Sequence, residues 1–500
     1  MQIHTPDWVK HAVFYQIFPD RFARGKVPPR SIASTSLEDW EAMPTLQGYK
    51  GGNLWGAIAQ LDYLQELGIN AIYFTPIFQS ACNHRYHTHD YYQIDPLLGG
   101  NAAFSQLLDA AHQRQIKVVL DGVFNHASRG FFFFNDILEN GPYSPWLDWF
   151  KIEGWPLCPY DGDRPANYTS WVGNRALPEF NHDNAEVREY IMRIAEYWIE
   201  LGVDGWRLDV PNCIKTPGFW QEFRDRVKAV NPDAYIVGEI WGDASEWLDG
   251  TQFDGVMNYL FTAPTIAFTA GDRVVREHVK GRHYQPYPAL DAAGYASKIT
   301  TLLALYPWEI QKTQLNLLDS HDTARLLTIA SGGTDNALAE ARSSVELATL
   351  LLLTFPGAPS IYYGDEVGLA GASDPDCRRA FPPESEWDKT ALNYHRQLIS
   401  LRHAHPALRV GTYQILFAER QVYVFARQLD LEVAIVVVNA GTAPENISFA
   451  VQLGEDSHLP TQIAYGKGEI SWELGAEHPI LSLSIPERSG AILVSISSKP

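Results

Sequence analysis

The sequence predicts an α/β protein: a (β/α)8 TIM barrel with an irregular subdomain inserted after its third strand and an antiparallel β-sandwich on its C-terminal side. Three observations predict it. Eight short apolar runs alternate with segments of helical spacing, which implies parallel strands joined by helical crossovers. The alternation stops across residues 127–181, where Phe, Trp, Pro and Gly accumulate without a period, as in an inserted functional subdomain. After Arg402 the texture changes to short alternating strands separated by turns.

Taken in order, residues 12–18 (AVFYQIF) form a β-rich run that ends at Pro19, and residues 54–67 have helical spacing up to Gly68. Residues 71–74 give the second strand, a polar loop spans 83–90, a helix covers 102–114, and residues 117–120 are the third buried run. Beyond the insert come a helix at 185–201, a strand at 203–208 and a helix over 218–230. Residues 235–237, 255–257, 315–317 and 359–362 complete the set of eight strands. A doubly wound open sheet is the competing architecture, but no glycine-rich phosphate loop follows the first run. The expected divisions are a barrel over 1–126 and 182–403, the insert over 127–181, and a sandwich over 404–500. Its strands are placed at 422–426, 433–438, 447–451, 480–485 and 491–495.

Composition narrows the partners. Of 500 residues, 46% are hydrophobic and 20% charged, as in globular proteins with ample core. Lys+Arg 39 against Asp+Glu 59 leaves a net charge of −20, which argues against nucleic acid or an anionic membrane surface. A neutral substrate is not repelled, and the 12% aromatic content suits the flat faces of sugars. The four cysteines are too widely spaced for a disulfide framework or a CxxC metal site. With no apolar leader and no run of about 18 apolar residues, the expected location is the cytoplasm.

In a barrel, residues just past the strand ends converge on one face. There the chain sets Asp121 and His126 in DGVFNH, Arg207 and Asp209 in GWRLDVPN, Glu239 in GEIWG, and His321 and Asp322 in NLLDSHDTAR. Each alone suits a structural ion pair; four such strand ends in register suit a shared site. Three carboxylates with two histidines and an arginine fit glycoside hydrolysis. Arg207 shares a strand face with Asp209 and is expected to lower its pKa and keep it charged as the nucleophile. Glu239, flanked by Ile240 and Trp241, sits in an apolar setting that raises a carboxyl pKa, as a general acid requires. Asp322 would stabilise the transition state or grip hydroxyls, as His126 and His321 could, and Trp241 could stack on a sugar ring.

The stretches DGVFNH, GWRLDVPN, GEIW and LLDSHD stand in the order of the conserved regions of the α-amylase family, glycoside hydrolase family 13, which the chain resembles over roughly residues 10–400. The stretches GEIWGDASEWLDGTQFDGVMNYLF and PGAPSIYYGDEVGLAGASDPDCRRAFP look closest to the neopullulanase, cyclomaltodextrinase and maltogenic-amylase subgroup. The resemblance implies Asp209 as nucleophile, Glu239 as acid/base and Asp322 as third carboxylate, framed by Arg207, His126 and His321. It implies His84 and Tyr86 as the sugar-contacting loop after the second strand, Tyr86 being a stacking platform. It also implies Asp121 as structural support and Asp376 with Arg378 as a pair holding a neighbouring sugar. Retention of configuration follows, with carboxyls about 5–5.5 Å apart.

The chain departs from the subgroup in two ways. The barrel begins near His11, where relatives usually carry a further N-terminal β domain, so a homodimer would use another surface and the cleft would admit longer or branched glucans. The loop after YQIFPDRF reads ARGKVPPRS and lacks oxygen ligands, so neither a metal nor any other cofactor is expected, even though Asn125 matches a calcium-binding position in some relatives. The leading expectation is a retaining α-glucan hydrolase cleaving α-1,6 branches, α-1,4 bonds, or both. A transglycosylase or glucosyl isomerase on the same residues is the runner-up, and a non-catalytic glucan-binding barrel is the reading from another class. The stretch LPEFN at residues 177–181 leaves linkage open.

Overall fold

The computed structural model describes residues 3–26, 37–280, 285–333, 338–454 and 457–495. Eight parallel strands make one sheet: β1 (Phe14–Ile17), β2 (Ala71–Phe74), β3 (Lys117–Gly122), β4 (Gly205–Leu208), β5 (Tyr235–Gly238), β6 (Gly255–Val256), β7 (Leu315–Asn316) and β8 (Ala358–Tyr362). They pair in the order β6-β5-β4-β3-β2-β1-β8-β7. A parallel bridge between Met257 and Leu315 joins the two ends and closes the barrel. The strands are buried along nearly their whole length, which is why they read as apolar runs rather than alternating ones.

All eight expected strands are present, with ends that move by two residues or fewer. The fourth starts at Gly205 instead of Val203 because Asp204 turns its carboxylate back, accepting from the Val118 N–H at 2.9 Å and pairing with Lys117 at 2.8 Å. The expected helix over 54–67 is two helices, Leu54–Ala59 and Leu61–Leu67, that meet at Gln60. Side-chain caps start two of the long helices: Asn184 accepts the Glu186 and Val187 N–H groups at the head of Ala185–Glu200, and Asp388 accepts those of Thr390 and Ala391 at the head of Lys389–Ala404.

The insert, expected to be irregular, contains one helix, Phe132–Asn140, among 3₁₀ turns. Its aromatic residues pack on one another, with the Phe133 and Trp146 rings 3.7 Å apart and 13° from parallel. A single bridge from His126 to Glu179 ties it to the barrel rim, and one from Phe150 to Phe180 ties it to itself.

Past the barrel, β9 (Thr412–Glu419), β10 (Val422–Leu429), β11 (Glu432–Asn439), β12 (Glu445–Ala450), β13 (Gln462–Tyr465), β14 (Glu469–Glu473), β15 (Ile480–Ile485) and β16 (Ser489–Val494) form two antiparallel sheets, ordered β9-β10-β11-β16-β13 and β12-β15-β14. One face of the larger sheet packs on the smaller through Val422, Val424, Ile435 and Leu493; the other, with Tyr423, Phe425 and Val436, joins the barrel core. At that junction the buried Arg427 donates to the carbonyls of Thr354, Leu408 and Gly411 at 2.6–2.9 Å. Arg402 serves those of Leu353 and Gly357. Two side chains thus satisfy carbonyls that the end of helix Leu338–Thr354 leaves open. No helix among the described residues is long and apolar enough to cross a membrane.

Candidate active site

The C-terminal ends of the strands surround Arg207, which is fully buried. Asp121 on β3 and Arg207 on β4 are register partners, and the guanidinium Nη1 lies 3.0 and 3.1 Å from the two Asp121 oxygens. The same nitrogen donates to Asp209 Oδ1 at 3.1 Å, while Nη2 pairs with Glu239 Oε2 at 3.0 Å. One planar cation therefore spans all three carboxylates and fixes the spacing of Asp209 and Glu239. Val210 follows in a left-handed conformation (φ 36°, ψ 49°), a costly one for a β-branched residue, and its N–H reaches Glu239 Oε2 at 3.2 Å. Trp241 donates from Nε1 to Glu239 Oε1 at 3.0 Å.

On the opposite wall, Tyr86 donates to Asp121 Oδ2 at 2.9 Å, beside a 3.0 Å bond from Tyr73. Because the Tyr86 proton is used there, the 2.7 Å contact between Tyr86 Oη and His321 Nε2 carries the histidine's proton. His321 Nδ1 then accepts from the Gln16 amide at 2.8 Å, and Nε2 also faces Asp322 Oδ2 at 3.2 Å. Arg378 holds the His321 carbonyl at 2.9 Å and pairs with Asp374 at 3.1 Å and Asp322 at 3.4 Å. Together these walls enclose a cleft of about 410 Å³ lined by His84, Tyr86, His87, His126, Trp171, Asp209, Glu239, Trp241, Asp322, Asp374 and Arg378. A smaller, largely apolar cavity of about 120 Å³ lies among Leu326, Val345, Leu352 and Tyr394, away from these carboxylates.

Residues 16–400 match the family described as Alpha amylase, catalytic domain. The chain belongs to the α-amylase family. It is a glycoside hydrolase, 44% identical over 439 residues to a cyclomaltodextrinase from a Bacillus species, covering 87% of this chain and 73% of that one. Among solved structures it resembles the native debranching enzyme of Nostoc punctiforme at 68% identity and TM-score 0.90, covering 99% of this chain and 100% of that one. It also resembles the ligand-free cyclic α-maltosyl-(1→6)-maltose hydrolase of Arthrobacter globiformis at 36% identity and TM-score 0.82, over 98% and 100% of the two chains.

In this α-amylase-family cleft, one electrostatic expectation reverses sign. Arg207 does not hold Asp209 below the usual carboxylate range: burial first, then the Glu239 charge, push Asp209 up, because the single guanidinium is divided among three carboxylates. Burial likewise raises Glu239, in the expected direction, with Arg207 opposing and Asp322 adding. The two titrate as a unit, so the values belong to the pair. Burial drives His126 and His321 down to about 3, so both are neutral donors or acceptors at neutral pH.

Most of the expected residues converge. His84, Tyr86, His126, Asp209, Glu239, Trp241, Asp322 and Arg378 line the cleft, and Arg207, Asp121 and His321 lie directly behind it. Trp241 has one face against Tyr259, centroids 3.6 Å apart, so it is less a free platform than a buttress for Glu239. Asp376 is a correction: its carboxylate accepts from the Ala372 N–H and pairs with Arg379 at 2.7 Å, and Asp374, two residues earlier, is the partner of Arg378 in the cleft. Trp171, which lies over His126 at 5.4 Å, was also missed; its signal is the aromatic richness of the insert. Asn125, the matched calcium position, is buried with its amide toward His126 at 3.4 Å. Residues 27–36, where the loop expected to lack calcium ligands continues, lie outside the described residues.

Proposed function

We propose that this enzyme is a retaining hydrolase of neutral α-glucans that takes α-1,6 branch points as well as α-1,4 bonds. The observation that carries the mechanism is the Arg207 guanidinium spanning Asp209 and Glu239, which supports a paired nucleophile and acid. In the first step Asp209 attacks the anomeric carbon, the glycosidic C–O bond breaks, and the Glu239 proton moves to the leaving oxygen. The developing oxocarbenium charge favours the ionised form of Asp209 and leaves the pair's proton on Glu239. In the second step water attacks the same carbon, gives its proton to Glu239, and releases Asp209. Asp322, Arg378 and Asp374 hold the ring hydroxyls; His84, His126 and His321 contribute neutral hydrogen-bonding groups.

Branch-point activity is supported by the 68% identity to a debranching enzyme and the likeness to a hydrolase of a (1→6)-linked cyclic maltoside. Chromatography of products from amylose, pullulan, cyclodextrin and a branched maltooligosaccharide, run in parallel, tests it. The expected result is fastest turnover of the branched substrate with release of its side chain. Equal rates on cyclodextrin and branched substrate, or no α-1,6 cleavage at all, would overturn the assignment.

A further inference from the structure

We propose that Cys82, His84 and His87 form a binding site for a borderline divalent cation such as Zn²⁺, and that its occupation blocks the active cleft. The three residues lie on one turn between two short antiparallel strands, Phe78–Ser80 and Thr88–Ile94. One ligand atom from each lies within 4.8 Å of the others. Cys82 Sγ and His84 Nδ1 are 3.4 Å apart, close to the separation of about 3.5 Å that thiolate and imidazole keep on tetrahedral zinc with bonds of about 2.3 and 2.0–2.1 Å. The His84 and His87 rings meet edge to face, centroids 5.2 Å apart at 80°, so they converge instead of stacking.

The turn is preorganised by the residues between the ligands. Asn83 donates to the Leu46 and Gly48 carbonyls at 3.0 and 2.8 Å. Arg85, at φ 62°, buries its guanidinium against Asp95 at 3.0 Å. Ser80 Oγ donates to the His87 carbonyl at 2.7 Å. With Asn83 and Arg85 spent on the scaffold, the Cys82 thiol and two imidazoles remain gathered, the imidazoles at the cleft, and a cation displaces only the long 3.3 Å bond that His84 Nδ1 accepts from the Tyr86 N–H. A sulfur and two imidazoles select zinc-like cations over calcium or magnesium. Binding forms one metal–sulfur and two metal–nitrogen bonds and releases the thiol proton to solvent. Three protein ligands leave a fourth position to water, as in three-ligand zinc sites. Arg378 opposes a cation there, while Asp322 and Asp374 in the same cleft favour it. Because His84 and His87 line that cleft, the bound cation and its water occupy space a sugar ring needs.

Binding is independent of the hydrolytic reading; only the inhibition rests on it. Co²⁺ serves as a spectroscopic probe: the protein should bind one equivalent with a thiolate-to-metal charge-transfer band that Zn²⁺ removes. The band should vanish in Cys82→Ser and in His87→Asn and persist in Cys213→Ser. In parallel, Zn²⁺ should inhibit maltooligosaccharide hydrolysis reversibly by chelator. Cys82→Ser should keep the basal rate and need at least about tenfold more Zn²⁺. Absence of the band in the wild-type protein, or its persistence in both ligand variants, would overturn the site. An unchanged Zn²⁺ response in a folded Cys82→Ser protein would overturn the inhibition.

Discussion

Asp209 and Glu239 are held where they repel each other, and that repulsion is measurable. A carboxylate with a raised folded-state pKa stabilises the fold while protonated; this contribution is complete below its unfolded value and is lost as pH rises through the folded one. At neutral pH the wild-type protein therefore carries a penalty that Asp209→Asn removes. The variant should melt about 1–2 °C higher at neutral pH, with the gain shrinking as pH falls through the pair's titration; calorimetry at several pH values checks this. Glu239→Gln keeps the shape and loses the proton: turnover should fall by about 10²–10⁴ while calorimetric binding of a maltooligosaccharide persists. At this scale the sequence was informative where a residue's place depends on strand register, as for Arg207 and Asp209. It failed where loop conformation decides, since a two-residue offset separates Asp374 from Asp376. It failed again in the sign at Asp209, because a strand pattern cannot tell how many carboxylates share one arginine.

The insert contributes a wall of the cleft through Trp171, whose 3₁₀ turn sets its ring over His126. Trp171→Ala should raise KM for maltooligosaccharides about tenfold and change kcat less, since the ring offers a stacking surface and no proton. A steady-state comparison reads that split. Among the elements, the barrel strands were legible because burial on both faces leaves them continuously apolar. Three sandwich strands, β9, β13 and β14, were not. Thr412–Glu419 is half exposed along its length, Gln462–Tyr465 is only 4 residues long, and Glu469–Glu473 alternates over just 5 residues with acids at both ends, so none contains a fully buried residue. Pairing with neighbours, not local pattern, makes them strands.

Across the whole molecule, the order of strand-end motifs along the chain becomes a ring around one cation when the sheet closes at Met257 and Leu315. Closure brings His321, more than a hundred positions after Arg207, against Tyr86, the partner of Asp121, with Asp322 beside it. The larger C-terminal sheet seals the barrel's flank through Arg427, outside the cleft it helps to stabilise. With a net charge of −20 the fold favours a neutral substrate, as the carboxylate-lined cleft does. The central claim is that Asp209 forms a covalent bond to the sugar. Mass spectrometry of the protein after incubation with a slow-leaving fluoroglycoside tests it most directly: one glycosyl adduct is predicted, on the peptide containing Asp209. An adduct on Glu239, or turnover of the reagent with inversion and no adduct, would contradict it.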